Sequence, residues 1–138
     1  MRQLTQSYLD HLTYEINAAC IEVHRTLGPG LLEGVYHKCL KREFELRGIK
    51  AVSELAVPVL YKGVAIETDY RCDFLIEDAI VLEIKAVELM HPLYIAQLMT
   101  YMRLTGMPKG ILLNFNVQNL MREGQETYVN EIFRALPL

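Results

Sequence analysis

The stretch that decides the fold reads Asp73-Phe74-Leu75-Ile76-Glu77-Asp78-Ala79-Ile80-Val81-Leu82-Glu83-Ile84-Lys85. Two apolar runs of strand length flank a short polar turn, the pattern of a buried hairpin. The second run is the most apolar strand candidate in the chain, yet Glu83 and Lys85 interrupt it. A period of two places both on the face of Val81, while Ile80, Leu82 and Ile84 take the other. A carboxylate and an ammonium on a central strand are costly to bury unless they pair, hold a ligand or face a cleft. For an isolated Glu-x-Lys the plain account is a salt bridge at the sheet edge. Asp73, on the preceding strand, shifts the balance because it can oppose Glu83.

Register decides whether it does. A two-residue loop at Glu77-Asp78 pairs Asp73 with Leu82 and throws the carboxylates onto opposite faces. A three-residue loop, Glu77-Asp78-Ala79, pairs Asp73 with Glu83 on one face. A metal site here requires the odd loop or an equivalent bulge. Two carboxylates held that close repel unless a cation neutralises them. Hard oxygen ligands without His or Cys suit Mg²⁺ or Mn²⁺ rather than zinc. Lys85 would sit beside the metal, where it can orient an attacking water, favour its hydroxide form and offset charge on a pentavalent phosphate. That arrangement serves phosphodiester hydrolysis.

Outward from the hairpin, the pattern predicts α/β with a mixed sheet. Leu9, Leu12, Ile16, Ala19, Cys20, Val23 and Leu27 mark one face of a first helix, stopped by Gly28-Pro29-Gly30. A second helix over 32–47 turns Val35, Tyr36, Cys39, Leu40 and Phe44 inward and closes at Gly48. Leu55, Val57, Val59 and Tyr61 alternate as one strand, Lys62-Gly63 turns, and 64–76 is extended. His91-Pro92 opens a third helix that Gly106 ends. Residues 110–115 form the next strand, and 127–133 an edge strand.

The 138 residues are 51% hydrophobic and 22% charged, with net charge -3, which fits a single domain over 1–138 with a real core. Such a balance excludes a basic coat on nucleic acid, but not a nuclease whose metal supplies local charge. The three cysteines have no zinc-type spacing and read as buried thiols of a reducing compartment. The first residues lack the apolar run of a signal peptide, and no stretch reaches a membrane span, so a cytoplasmic protein without membrane contact is expected.

Three motifs resemble a known group. Asp73 followed by Glu83-Ile84-Lys85 resembles the D…E-x-K signature of the PD-(D/E)XK nuclease superfamily, with Cys72 where that name has Pro. Gln97-Leu98-Met99-Thr100-Tyr101 resembles the Q-x-x-x-Y element of its exonuclease-like branch. Gly30-Leu31-Leu32-Glu33-Gly34-Val35-Tyr36 resembles the signature of the GxxExxY protein family, a small branch of the same superfamily. The resemblance implies a restriction-endonuclease-like αβββαβ core, a mixed sheet flanked by helices. It implies Asp73, Glu83 and the Ile84 carbonyl as metal ligands, with Glu33 an extra ligand or water-holding carboxylate. Lys85 becomes the catalytic lysine, Gln97 a contact to water or the scissile phosphate, and Tyr101 its support one turn on.

The function expected is Mg²⁺- or Mn²⁺-dependent hydrolysis of nucleic acid, DNA before RNA, with a homodimer as one way to span a duplex. The alternative is a catalytically silent module that keeps the fold to bind nucleic acid or a protein. Plainer roles stand beside these. Glu33 suits a first helical turn by the dipole alone. Gln97 and Tyr101 fit a polar helix position and a half-buried aromatic. His24 fits a helix C-terminal contact. Lys38, Lys41 and Arg42, interleaved with Glu43 and Glu45, fit a solvated helix face. Met90, Met99, Met102 and Met107 fit core or interface filler.

Overall fold

The computed structural model describes residues 3–138; Met1 and Arg2, part of the stretch read for targeting signals, lie outside the described residues. Helix α1 spans Gln6–Leu27, with Thr5 capping its start by accepting from the Tyr8 N–H at 3.0 Å. Its predicted apolar face is buried from Leu9 to Val23. Gly28 ends it at φ +71°, and the N–H of Gly28 donates to the His24 carbonyl. Helix α2, Glu33–Leu46, follows after that turn and buries Tyr36, Leu40 and Phe44.

The sheet begins with β1, Ala51–Ala56. A hairpin of β2, Val59–Tyr61, and β3, Val64–Ile66, stands outside it, with Leu60, Tyr61, Val64 and Ile66 exposed. The chain returns as β4, Arg71–Ile76, and β5, Ile80–Lys85, then crosses through α3, Pro92–Thr105, to β6, Lys109–Asn114. A single π-helical turn, Leu120–Gly124, leads into β7, Gln125–Val129, and a short α4, Glu131–Arg134. The five-stranded order is β1-β4-β5-β6-β7, antiparallel except for the parallel pair β5 and β6. The expected mixed sheet flanked by helices is thus present, with the β2–β3 hairpin as an excursion within its meander.

Both faces of the central strands are covered, which is why β5 and β6 read as near-continuous apolar runs. Phe74, Ile76, Ile80, Leu82, Ile84, Ile111 and Leu113 pack beneath α1 and α2. Val81, Leu75 and Leu112 pack against Leu98, Tyr101 and Met102 of α3. Gly110 lets α3 approach β6: a Cβ there would lie 2.6 Å from Met102 Sδ and 2.9 Å from Leu98 Cδ1. No helix among the described residues is long and apolar enough to cross a membrane.

Several local expectations are corrected. The single strand through Leu55 and Tyr61 breaks at Val57-Pro58, because proline has no N–H for a ladder and the Val57 N–H donates to the Tyr70 carbonyl. The extended 64–76 stretch breaks at Thr68, whose hydroxyl donates to the Val57 carbonyl and accepts from the Tyr70 N–H. The edge strand ends at Val129, since the Asn130 side chain accepts from the N–H groups of Ile132 and Phe133 and starts α4. Val35, in the first turn of α2, is exposed. His24 ties α1 to another segment instead, its Nε2 donating to the Val117 carbonyl at 2.8 Å. The basic cluster on α2 is the solvated face expected of it, with Lys38, Lys41 and Arg42 exposed and Arg42 paired with Glu45.

Candidate active site

The turn between β4 and β5 carries the odd loop. Ile76 pairs with Ile80, Leu75 with Val81 and Phe74 with Leu82. Glu77 and Asp78 both sit at φ +51°, the Ala79 N–H donates to the Ile76 carbonyl, and Ala79 is the buried extra residue. The next step along the register sets Asp73 opposite Glu83. There side chains replace the ladder. The Asp73 N–H donates to Glu83 Oε2 at 2.6 Å, and the Ile84 N–H donates to Asp73 Oδ2 at 2.8 Å.

The alternation of β4 also breaks at this point. Cys72 joins Leu75 on the α3 side, although Phe74 and Ile76 face the other core. Strand β1 breaks at the same level, with Val52 and Leu55 on one side and Glu54 between them at φ +55°. Glu54 lies between the pairs Ser53–Phe74 and Leu55–Cys72, hence opposite Asp73. Glu54, Asp73 and Glu83 therefore form a row across three neighbouring strands.

Burial, then the charge of Asp73, pushes the Glu83 carboxyl up to about 8, against the pull of the Asp73 N–H and Lys85. Burial also raises Asp73, while the Ile84 N–H and Lys85 pull it down. Lys85 is half-buried, with Nζ 4.5 Å above the Tyr94 ring of α3. Its strand is held by the Phe115 N–H, which donates to the Lys85 carbonyl at 2.8 Å. The chain leaving it is clamped by buried Asn114, which accepts from the Val87 N–H and donates to the Val87 carbonyl.

Glu33 is the first residue of α2, and Tyr36 fixes where that helix starts. The Tyr36 hydroxyl donates to the Gly28 carbonyl at 2.6 Å and accepts from the Leu31 N–H at 3.2 Å. Its ring stacks on Phe115, centroids 4.5 Å apart. Gly30, at φ +98°, makes the intervening turn, so Gly30 and Tyr36 together set where the helix bearing Glu33 begins. The Glu33 carboxyl is raised by partial desolvation and then by Asp73, and lowered by Lys85 and His37, which places it within the field of the site.

Gln97 and Tyr101 are adjacent on α3, the Gln97 amide donating to the Tyr101 hydroxyl at 3.1 Å. Tyr101 is buried against the α3-side core, and burial followed by the charge of Glu83 pushes its hydroxyl up to about 12. Two residues near the site were not among those expected from sequence. The ligand atoms of His37, Glu54 and Asp73 all lie within 4.8 Å of one another, a group that does not include Glu83. His37 Nε2 is 2.6 Å from Ser53 Oγ and 3.7 Å from Glu54 Oε1, and its ring stacks on Phe74. The available signals were faint: His37 follows Glu33 by four residues on one helix face, and Glu54 breaks an apolar strand.

The sequence pattern of the PD-(D/E)XK nuclease superfamily matches residues 10–127. The chain belongs to this superfamily. The match runs from within α1 to within β7 and takes in all the residues described above. No curated protein and no solved structure matches the chain significantly.

The donor set of this PD-(D/E)XK chain fits a hard divalent cation. Asp73 and Glu83 each commit one oxygen to a backbone N–H and keep the other for a further partner. Their mutual repulsion and burial raise the Glu83 carboxyl toward its protonated form, and a cation can take the place of that proton. Cys72 is no competitor, since burial holds its thiol far above the usual range and hence protonated. An open cleft of about 530 Å³ lies elsewhere, lined by Pro58, Glu67, Thr68, Asp69 and Arg71. The hairpin carboxylates do not line it.

Proposed function

We propose that the chain is a metal-dependent nuclease of the GxxExxY branch, hydrolysing phosphodiester bonds in DNA, with RNA as the alternative polymer. The observation that carries this reading is the reciprocal bonding of Asp73 and Glu83 to each other's strands, with Lys85 on the same face as Glu83. Asp73, Glu83 and the Ile84 carbonyl are the residues to hold Mg²⁺ or Mn²⁺, with Glu33 contributing a further oxygen from the start of α2. A cation bound there supplies Lewis acidity toward water and toward a phosphoryl oxygen.

The chain's own groups do the rest. Lys85, held over Tyr94, orients the attacking water and offsets the charge that grows on the phosphorus oxygens. Gln97 reaches the water or the scissile phosphate from α3. Tyr101 steadies that amide, and its raised pKa keeps it a neutral hydroxyl at any working pH. Net charge -3 gives the protein little general attraction for a polyanion, so substrate binding is expected to be weak, salt-sensitive and metal-dependent.

The test is cleavage of single-stranded, duplex and branched DNA, and of RNA, with Mg²⁺ or Mn²⁺, by wild type and Lys85→Ala. Cutting that depends on the metal and falls by about 100-fold or more in the variant supports the reading. No cutting of any substrate, or equal cutting by the variant, sinks it and leaves the silent binding module.

A further inference from the structure

We propose that His37, Glu54 and Asp73 form a second divalent-cation position that prefers Mn²⁺ to Mg²⁺. It shares the Asp73 carboxylate with the proposed nuclease site and lies in the field of Glu33, and it rests on that reading for its charge argument alone.

Three elements converge to make it. His37 comes from α2 and Glu54 and Asp73 from neighbouring strands, with ligand atoms all within 4.8 Å of one another. Atoms about 2.2 Å from a shared ion lie at most about 4.4 Å apart, so a small inward turn of one side chain closes the group. Glu54 can make that turn, because its side chain is 60% exposed. His37 is the fixed member. Its ring lies flat on Phe74 at 4.4 Å, with only 13% of the side chain exposed. Ser53 Oγ sits 2.6 Å from Nε2, on the side facing Glu54, and its hydroxyl can rotate away when the nitrogen takes another partner.

Charge points the same way. Glu33, Glu54, Asp73 and Glu83 influence one another electrostatically, with Lys85 as the lysine among them. One divalent ion leaves such a group of carboxylates net negative, and a second removes the deficit. Selectivity follows from the nitrogen. Mg²⁺ holds to oxygen ligands and retains its waters, whereas first-row transition ions accept an imidazole, Mn²⁺ less tightly than the later ones but more readily than Mg²⁺. Glu54 is left-handed in the middle of its strand, at the register position opposite Asp73.

The experiment is Mn²⁺ titration of the full chain followed by electron paramagnetic resonance, with pulsed detection of ¹⁴N coupling to the bound ion. The variants are His37→Gln, Glu54→Gln and Glu83→Gln, each checked for folding by circular dichroism. The expected result is a nitrogen-coupled Mn²⁺ in wild type that excess Mg²⁺ displaces poorly. His37→Gln should abolish the coupling, and Glu54→Gln, on an exposed side chain, should weaken that ion about tenfold or more. Glu83→Gln should retain it. Absence of ¹⁴N coupling in wild type, or its persistence in His37→Gln, overturns the second position whether or not the protein cuts DNA. Coupling that survives Glu83→Gln in a protein without nuclease activity upholds it while the nuclease reading fails.

Discussion

The Asp73 N–H donates to the Glu83 carboxylate at 2.6 Å, so the acid that opposes Asp73 also takes over its place in the ladder. Two acids are thereby buried side by side in the metal-free protein. Glu83→Gln keeps an oxygen for that N–H and removes an acid that the fold must hold protonated while the unfolded chain ionises it. We expect the metal-free variant to melt higher than wild type, by roughly 5 °C for a gain on the order of 1 to 2 kcal/mol. Metal-dependent cleavage should be lost. Differential scanning calorimetry beside an activity assay checks both, and a variant that melts lower would contradict the account.

The same acid fixes the sign of a pH effect. Folded Glu83 titrates near 8, above its ordinary 4.5, so between those values the folded state holds more protons than the unfolded one. Stability of the metal-free protein should therefore fall as pH rises from about 5 to about 8. Cation binding needs the ionised acid and should release a proton. Melting temperatures at pH 5.5, 7 and 8.5, with and without Mn²⁺, should show the metal's stabilisation growing with pH. In Glu83→Gln the metal-free curve should be flatter.

Tyr36 offers a separate handle on Glu33. Tyr36→Phe keeps the stack on Phe115 and removes the bonds to Gly28 and Leu31. A cost of about 1 to 2 kcal/mol in urea unfolding is expected. The start of α2 should loosen, so cleavage should fall through kcat more than KM. Unchanged kcat with lowered stability would separate the turn from the chemistry.

Gly110→Ala should act at a distance. Its new methyl meets Met102 and Leu98, and pushing α3 outward carries Tyr94, Gln97 and Tyr101 with it. We expect about 1 to 3 kcal/mol of destabilisation and reduced cleavage. Adding Met102→Ala should restore part of both, a coupling that a double-mutant cycle measures.

Much of this arrangement was legible in the sequence because it depends on local parity. The phase of Val81, Glu83 and Lys85, and what each loop length would do to Asp73, follow from counting residues, whereas the loop that forms is fixed by the left-handed pair Glu77 and Asp78. The helix ends at Gly28 and Gly106 follow from backbone chemistry. What escaped needed partners far along the chain. Glu54 joins the row only because β1 pairs with β4 across the β2–β3 excursion, and His37 only because α2 lies over Phe74. The run through Val57 looked continuous because alternation outweighed Pro58. The edge strand ran too far because Ile132 and Phe133 are apolar, while the Asn130 cap was read as one more strand position.

The β2–β3 hairpin carries a consequence for the material itself. Among the described residues its outer edges have no strand partner, and Leu60, Tyr61, Val64 and Ile66 give it an oily skin. Lys62 at the tip, lying over Tyr61, is the nearby charge that discourages edge-to-edge stacking. Concentrated, high-salt solutions screen that guard, so colloidal behaviour should be governed by this flap rather than by the carboxylate face.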